Sequence, residues 1–193
     1  MVGFIPESYF APLDLTKIFG RVAPLHVDLG CGDGVFLFAL AEQKPDKNFL
    51  GFERLLYRAK KACRKADTTE NMRIIRIETS YAVRYLLPEQ SVEMFHLLFP
   101  DPWEKRRHEQ RRIVGLDFLD SISVALVSDG ILRVVTDSRD YFDQIQQVAA
   151  RSEKFTVAEN NGERYPTSTF EERFKQEGAE IYRLLLRKTS PVT

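Results

Sequence analysis

Leu25-His26-Val27 leads into Asp28-Leu29-Gly30-Cys31-Gly32-Asp33-Gly34, and the residues from Val35 to Gln43 follow with the apolar spacing of a helix. A short apolar run, a glycine turn and a helix in that order predict the first unit of an α/β sheet. Glycines at alternate positions let the chain turn tightly and let a ligand approach the backbone with no Cβ in the way. Nineteen residues beyond Gly34, at the end of a second strand-like run over Asn48–Phe52, stands Glu53. That is the spacing at which an acid meets a ribose, and its two oxygens can accept from both hydroxyls. The turn therefore predicts a nucleotide-type site built on Asp28, Gly30, Gly32 and Glu53.

The kind of nucleotide follows from the details of the turn. A dinucleotide fingerprint wants a small residue three places after its second glycine, where a pyrophosphate rests on the helix start. Val35 occupies that place, and the third glycine arrives early, at Gly34. Asp28 and Asp33 would repel a diphosphate and attract a cationic aminoacyl sulfonium.

Outward from the turn, strand-like and helix-like runs alternate. Strands are predicted at 25–29, 48–52, 72–77, 92–99, 131–135, 155–158 and 180–186. Helices are predicted at 35–43, 55–66, 82–87, 116–126, 141–150 and 170–177. Residues 92–99 are nearly all apolar, as a central parallel strand buried on both faces should be. The alternation predicts one α/β domain spanning 1–193, with a mostly parallel sheet and helices on both faces. Ligands of such sheets sit beyond the carboxyl ends of the strands, where strand order reverses.

Composition narrows the class. An apolar fraction of 44% and a charged fraction of 29% are those of a globular domain, and no apolar stretch is long enough for a membrane span. The start of the chain has no basic segment followed by an apolar block, so no signal peptide is expected and cytoplasm is the default. Two cysteines, Cys31 and Cys63, form neither a disulfide framework nor a metal-ligand set, so no metal is expected. With 28 basic and 28 acidic residues the formal charge is zero, which argues against a histone-like coat but leaves a local nucleic-acid site open. One cationic group (Arg54, Arg58, Lys60, Lys61, Arg64, Lys65) reads as the solvated face of a helix.

The second informative stretch follows the fourth predicted strand, where an acceptor substrate belongs. It reads Phe99-Pro100-Asp101-Pro102-Trp103-Glu104-Lys105-Arg106-Arg107-His108-Glu109-Gln110-Arg111-Arg112-Ile113. Prolines on both sides of Asp101 fix φ and hold the carboxylate in place. Trp103, the only tryptophan, offers a flat face for stacking, and Lys105, Arg106, Arg107, Arg111 and Arg112 offer charge to phosphates.

The glycine turn resembles the first motif of class I methyltransferases. From Ile18 onward the chain resembles the tRNA (guanine-N7)-methyltransferase family. That family shows Pro-Asp-Pro-Trp, a basic stretch with Arg-His and Arg-Arg, Thr-Asp after the fifth strand, a Thr-x-Phe-Glu element and a final Gly-x-x-Ile. Here these are residues 100–103, 105–112, Thr136-Asp137, Ser168-Thr169-Phe170-Glu171 and Gly178-Ala179-Glu180-Ile181. The resemblance implies a Rossmann-like class I methyltransferase fold, a seven-stranded, mostly parallel sheet whose last strand is antiparallel. It implies S-adenosylmethionine as cofactor, tRNA as substrate and methylation of guanine N7 at the variable-loop guanosine (position 46), by a monomer or homodimer. It places Asp28, Glu53 and Asp101 at the cofactor, makes Asp101 the catalytic residue, and assigns Lys105, Asp137, Ser168 and Glu171 to the substrate.

Two departures from the family are visible. Ser168 stands for the preferred Thr and keeps the hydroxyl. Tyr81 stands after the third strand where an acid near the adenine is usual. The chain also starts close to the domain, so a longer N-terminal arm is expected to be absent.

Guanine N7 carries a lone pair and no proton, so no general base is required. His108 is expected to assist phosphate binding or to pack in its loop. Asp101 and Asp137 are open to two roles: stabilising the cation that develops on the ring, or accepting from the guanine N1–H and amino group. Thr136-Asp137 also reads as a helix N-cap. Three other functions share parts of the pattern. A small-molecule or protein methyltransferase would not need the basic run. A non-enzymatic RNA-binding subunit is favoured only by Tyr81. A nicotinamide-dependent reductase is disfavoured by Asp33 and the early Gly34.

Overall fold

The computed structural model describes residues 4–159 and 162–189, and the side chain of Arg106 lies outside that description. Seven strands form one sheet: β1 (Leu25–Leu29), β2 (Asn48–Phe52), β3 (Met72–Ile75), β4 (Val92–Leu98), β5 (Leu126–Thr136), β6 (Phe155–Val157) and β7 (Tyr182–Lys188). Their order is β3-β2-β1-β4-β5-β7-β6. The pairs from β3 through β5 are parallel, and β7 runs antiparallel to both β5 and β6. This is the mostly parallel sheet with an antiparallel last strand that the resemblance implied. Strand order reverses between β1 and β4, so the crevice at their carboxyl ends is where a ligand belongs.

Seven helices complete the order: α1 (Leu15–Phe19), α2 (Val35–Gln43), α3 (Leu56–Ala66), α4 (Thr79–Tyr85), α5 (Leu116–Ala125), α6 (Arg139–Ala150) and α7 (Thr169–Gln176). The two-residue period of the strands divides the core between the two faces of the sheet. Val27, Leu29, Phe95, Leu97, Leu132 and Val134 pack in one cluster with Phe118, Ile122 and Ile145 of α5 and α6. Phe36, Leu37 and Leu40 of α2 pack with Phe49, Met72 and Ile74 and with Ala62 and Cys63 of α3 on the other face. Both cysteines are free and buried. Among the described residues no helix is long and apolar enough to cross a membrane.

Several boundaries differ from the sequence expectation for local reasons. The helix expected at 82–87 starts at Thr79, because the Glu78 carboxylate caps it, accepting from the amides of Ser80 and Tyr81 at 2.9 and 2.8 Å. β3 ends at Ile75 instead of residue 77. β5 begins at Leu126 instead of residue 131, because Ser128-Asp129-Gly130 is absorbed as an irregularity: β5 pairs Leu126 with Val92 and then Ile131 with Met94. Asp129 takes φ 61° there, and a Cβ on Gly130 would come within 2.9 Å of Leu126. β7 starts at Tyr182 and runs on to Lys188. The short helix α1 and a 3-10 turn over Arg106–Arg111 were not expected.

Candidate active site

At the β1/β4 switch point lies a cavity of about 530 Å³, walled by the glycine turn, Phe36 of α2, Leu98 of β4, the start of α3 and the start of α7. Gly30 and Gly32 hold φ of 88° and 57°, and a Cβ built on either would meet nothing within 4 Å. The turn is therefore bare backbone facing open space. Gly34 differs: at φ 76° it caps α2, and a Cβ there would lie 2.8 Å from the Ala62 Cβ, so it sets how closely α2 approaches α3.

Glu53 is buried behind the turn and holds its shape. Its carboxylate accepts from the amide of Gly32 at 3.1 Å and from that of Leu55 at 2.6 Å. Asp28 is 2% exposed and lines the cavity, and its Oδ1 has no hydrogen-bond partner among the described residues. Burial pushes its carboxyl up to about 8; the Arg133 guanidinium offsets part of that and the Glu53 charge adds to it. An unpaired acid in a glycine cradle can ionise to meet a ligand that brings its own positive charge.

Asp28 is one of three such groups. Asp28 of β1 is in register with His96 of β4, and His96 with Arg133 of β5. Asp28 Oδ1, His96 Nδ1 and Arg133 NH1 are the buried side-chain atoms without a partner among the described residues. His96 is held neutral, its pKa driven well below the usual value by burial. The Arg133 guanidinium lies against the rings of Tyr165 at 4.4 Å and Phe36 at 5.7 Å. The row escaped the sequence reading. Asp28 alternates with His26 in β1, but His96 and Arg133 stand alone within Met94–Leu98 and Ile131–Val135, so no pattern in the sequence marks the three as one row.

Helix α7 closes the cavity from the far side of the sequence. Thr169 donates its hydroxyl to the Asp33 carboxylate at 3.2 Å, tying α7 to the glycine turn. Ser168 caps α7, its hydroxyl accepting from the Glu171 amide at 3.1 Å, and lines the cavity. Glu171 points elsewhere, into a second cavity of about 460 Å³, where it pairs with Lys175 at 2.7 Å and Arg183 at 2.5 Å. Burial opposes its charge, and those two cations outweigh burial and hold its carboxyl below the usual range.

The segment that follows β4 starts beside the same cavity, since Leu98 is in its wall and Pro100 follows two residues on. Phe99 and Trp103 both take positive φ, 50° and 45°. Non-glycine residues in that region cost on the order of 1–3 kcal/mol each and gather at functional sites. Between them Asp101 is exposed, outside the cavity lining, and among the described residues no donor reaches its carboxylate. Lys105, Arg107 and Arg111 are exposed on the following 3-10 turn. The Arg111 guanidinium lies over the Trp103 ring at 5.0 Å and His108 meets the same ring edge-on at 5.8 Å, so His108 packs in its loop. The phosphate role expected of the Arg106 side chain lies outside the described residues.

Arg112 is a correction. Its side chain is 3% exposed, bonds the Pro102 carbonyl at 2.7 Å and the Gln144 side chain at 2.5 Å, pairs with Asp140 and covers the Tyr141 ring at 4.9 Å. It braces the loop after β4 against α6 and is not available to a phosphate. Asp137 is also clarified: the N-cap of α6 is Ser138, which accepts from the Tyr141 amide, so the Asp137 carboxylate has no capping duty. Tyr81 donates its hydroxyl to the Tyr9 carbonyl at 2.7 Å and its ring lies tilted against that of Tyr85, so this position ties the N-terminal segment down. Among the described residues no three His, Cys, Asp or Glu are grouped to hold a metal.

Comparison with known proteins agrees with this geometry. A family model described as "Putative methyltransferase" matches residues 22–184. A tRNA (guanine-N(7)-)-methyltransferase of Thermotoga maritima is 36% identical over 92% of the chain, which spans 58% of that protein's length. One of Halorhodospira halophila is 33% identical over 95% of the chain and 82% of its own length. The crystal structure of the 16S rRNA methyltransferase KamB superposes with a TM-score of 0.68 at 15% identity, covering 99% of this chain and 100% of that one, a likeness of fold.

Proposed function

Because the chain belongs to the tRNA (guanine-N(7)-)-methyltransferase family, we propose that it transfers a methyl group from S-adenosylmethionine to N7 of a guanine in tRNA, the variable-loop guanosine being its target. The observation that carries this reading is the adjacency of β1 and β4. Their carboxyl ends bring the glycine turn and the Pro-Asp-Pro-Trp loop to one rim of the sheet, with Leu98, Gly30 and Gly32 in one cavity wall. A small-molecule methyltransferase would need the turn and not the exposed cations after Trp103. A cytoplasmic setting, and action as one domain in a monomer or homodimer, go with this substrate.

The residues present fit the cofactor. Asp28 supplies an unpartnered buried carboxylate for an amino acid's ammonium, Gly30 and Gly32 leave the space that a Cβ would fill, and Glu53, fixed by two amides, keeps lone pairs for a ribose. When bound, the cofactor supplies an electrophilic methyl on a sulfonium. The chain's part is to hold the acceptor ring in line with it, which is worth several kcal/mol when the reacting atoms are kept in near-attack geometry. No base is needed for N7. Asp101, braced through Pro102 by Arg112, presents a fixed carboxylate where positive charge develops on the purine, and Asp137 is free to share that task or to read the guanine edge. Lys105, Arg107 and Arg111 hold phosphates without reading sequence.

The test is incubation with methyl-labelled cofactor and an unmodified tRNA transcript, followed by chemical cleavage at N7-methylguanosine. One labelled position in the variable loop is the expected result. Label elsewhere in the RNA, or on none of it, overturns the reading.

A further inference from the structure

We propose that α3 is a second RNA-binding surface, which holds the backbone of the RNA substrate on the side of the cofactor cavity away from the Lys105–Arg111 cations. This rests on the reading of the chain as an RNA methyltransferase and adds where the RNA must run.

Helix α3 reads Leu-Tyr-Arg-Ala-Lys-Lys-Ala-Cys-Arg-Lys-Ala, with five cations and no acid in 11 residues, and Arg54 precedes it. The chain as a whole is neutral, so this density is local. Like charges three and four places apart on a helix repel one another by a few tenths of a kcal/mol per pair. Lys60–Arg64 and Lys61–Lys65 are such pairs, and an isolated domain would relieve them with Glu or Asp. Among the described residues none of Arg54, Arg58, Lys60, Lys61 or Arg64 pairs with a carboxylate. Among these side chains and the described residues, Lys65 alone donates a hydrogen bond, to the Asp33 carbonyl at 3.0 Å.

The small side of the helix, Ala59, Ala62, Cys63 and Ala66, is buried against the sheet, so the cations face outward. They do not face away from the site. Tyr57, Arg58 and Lys61 line the mouth of the cofactor cavity opposite α7. Tyr57 is 71% exposed with Lys61 4.5 Å from its ring centre, and Arg58 covers Phe170 of α7 at 5.2 Å. Phe170 stacks near Phe174, and Phe174 meets Phe99 at the end of β4, 5.2 Å away. A continuous band of rings and cations thus runs from α3 across α7 to the acceptor loop. Tyr57 is the exposed ring of this band, and Phe170, Phe174 and Phe99 are half-buried. Cations without carboxylate partners beside an exposed ring are a means by which proteins hold a nucleic-acid strand, charge for phosphates and a flat face for bases. A strand seated on this band would cross the cavity mouth with its other flank on Lys105, Arg107 and Arg111.

The experiment measures affinity for an unmodified tRNA transcript across a salt titration, with wild type, the Lys60→Gln/Arg64→Gln pair and Tyr57→Ala. Lys60 and Arg64 lie outside the cavity lining, so calorimetry should find cofactor affinity unchanged in the pair. Each lost phosphate contact weakens binding about 5-fold at 0.1 M salt and flattens the log–log salt slope by about 0.7–0.9. Tyr57→Ala should weaken binding at least about 5-fold with the slope unchanged, as lost stacking does. Wild-type affinity and slope in the Lys60/Arg64 pair, with wild type still methylating tRNA, would overturn the α3 surface alone. Failure of the wild type to methylate tRNA would overturn the reading beneath it.

Discussion

Asp28 and Arg133 stand on the two strands flanking β4, each in register with His96, and each carries a buried atom that no described residue bonds. Two interstrand spacings put their backbones about 10 Å apart. Opposite charges at that range attract weakly and satisfy neither hydrogen-bonding demand. Burial pushes the Asp28 carboxyl up to about 8, and Arg133 at that distance offsets only part of it.

A proton-linked binding step follows. With its carboxyl up at about 8, Asp28 is mostly protonated at pH 7 in the unliganded protein, and a cationic cofactor tail favours the ionised form. Calorimetry in buffers of different ionisation heat should find release of about 0.9 proton per cofactor at pH 7, falling toward zero by pH 9. Asp28→Asn should abolish that linkage and weaken cofactor binding about 10–100-fold. The sign for stability is fixed too. The folded-state pKa lies above the ordinary 3.8, so this group's contribution is whole below that value and is lost as pH rises through about 8. The melting temperature of the unliganded protein should fall across that window, and less steeply in Asp28→Asn. An unchanged pH profile in the variant would remove Asp28 as the linked group.

Asp101 is exposed, unbonded among the described residues and held by two prolines between two residues of positive φ. Asp101→Asn removes charge and keeps shape. Its single-turnover transfer rate should fall about 10²–10³-fold, with cofactor affinity and melting temperature near wild type. A rate within a few-fold of wild type would overturn the catalytic role proposed for Asp101.

Arg111 and Arg112 adjoin in sequence and should respond oppositely. Arg111→Gln removes an exposed cation, so it should flatten the salt slope of tRNA binding by about 0.7–0.9 and leave stability alone. Arg112→Met removes bonds to Pro102 and Gln144 from a buried site, so chemical denaturation should show a loss of about 1–3 kcal/mol and no change in slope. A flattened slope in Arg112→Met would restore it to the RNA interface.

Two glycines of one turn should separate in the same way. Gly34→Ala drives a Cβ to 2.8 Å from Ala62 at φ 76°, and should lower stability by about 3 kcal/mol or more. Gly30→Ala meets open space, so the fold should lose only about 1–2 kcal/mol while cofactor binding suffers more. Equal stability losses would mean that Gly30 serves packing and not a ligand.

Sequence by itself determined the strand–turn–helix start, the sheet class and the glycine turn with Asp28 before it and Glu53 beyond it, and it set apart the segment 99–113 after the fourth strand. Each of these is written in neighbouring residues: apolar periodicity, glycines in a tight turn, prolines fixing a carboxylate. Tertiary structure alone decided the rest. Arg112 and Arg111 are alike in the chain, and only the approach of α6 makes one a buried brace. Thr169 meets Asp33, and Asp28 faces Arg133 across His96, because strand order reverses between β1 and β4. Periodicity records which face a residue takes and carries no information about which distant residue shares it, so the unpartnered row and the cation-lined cavity mouth exist only once the sheet is assembled.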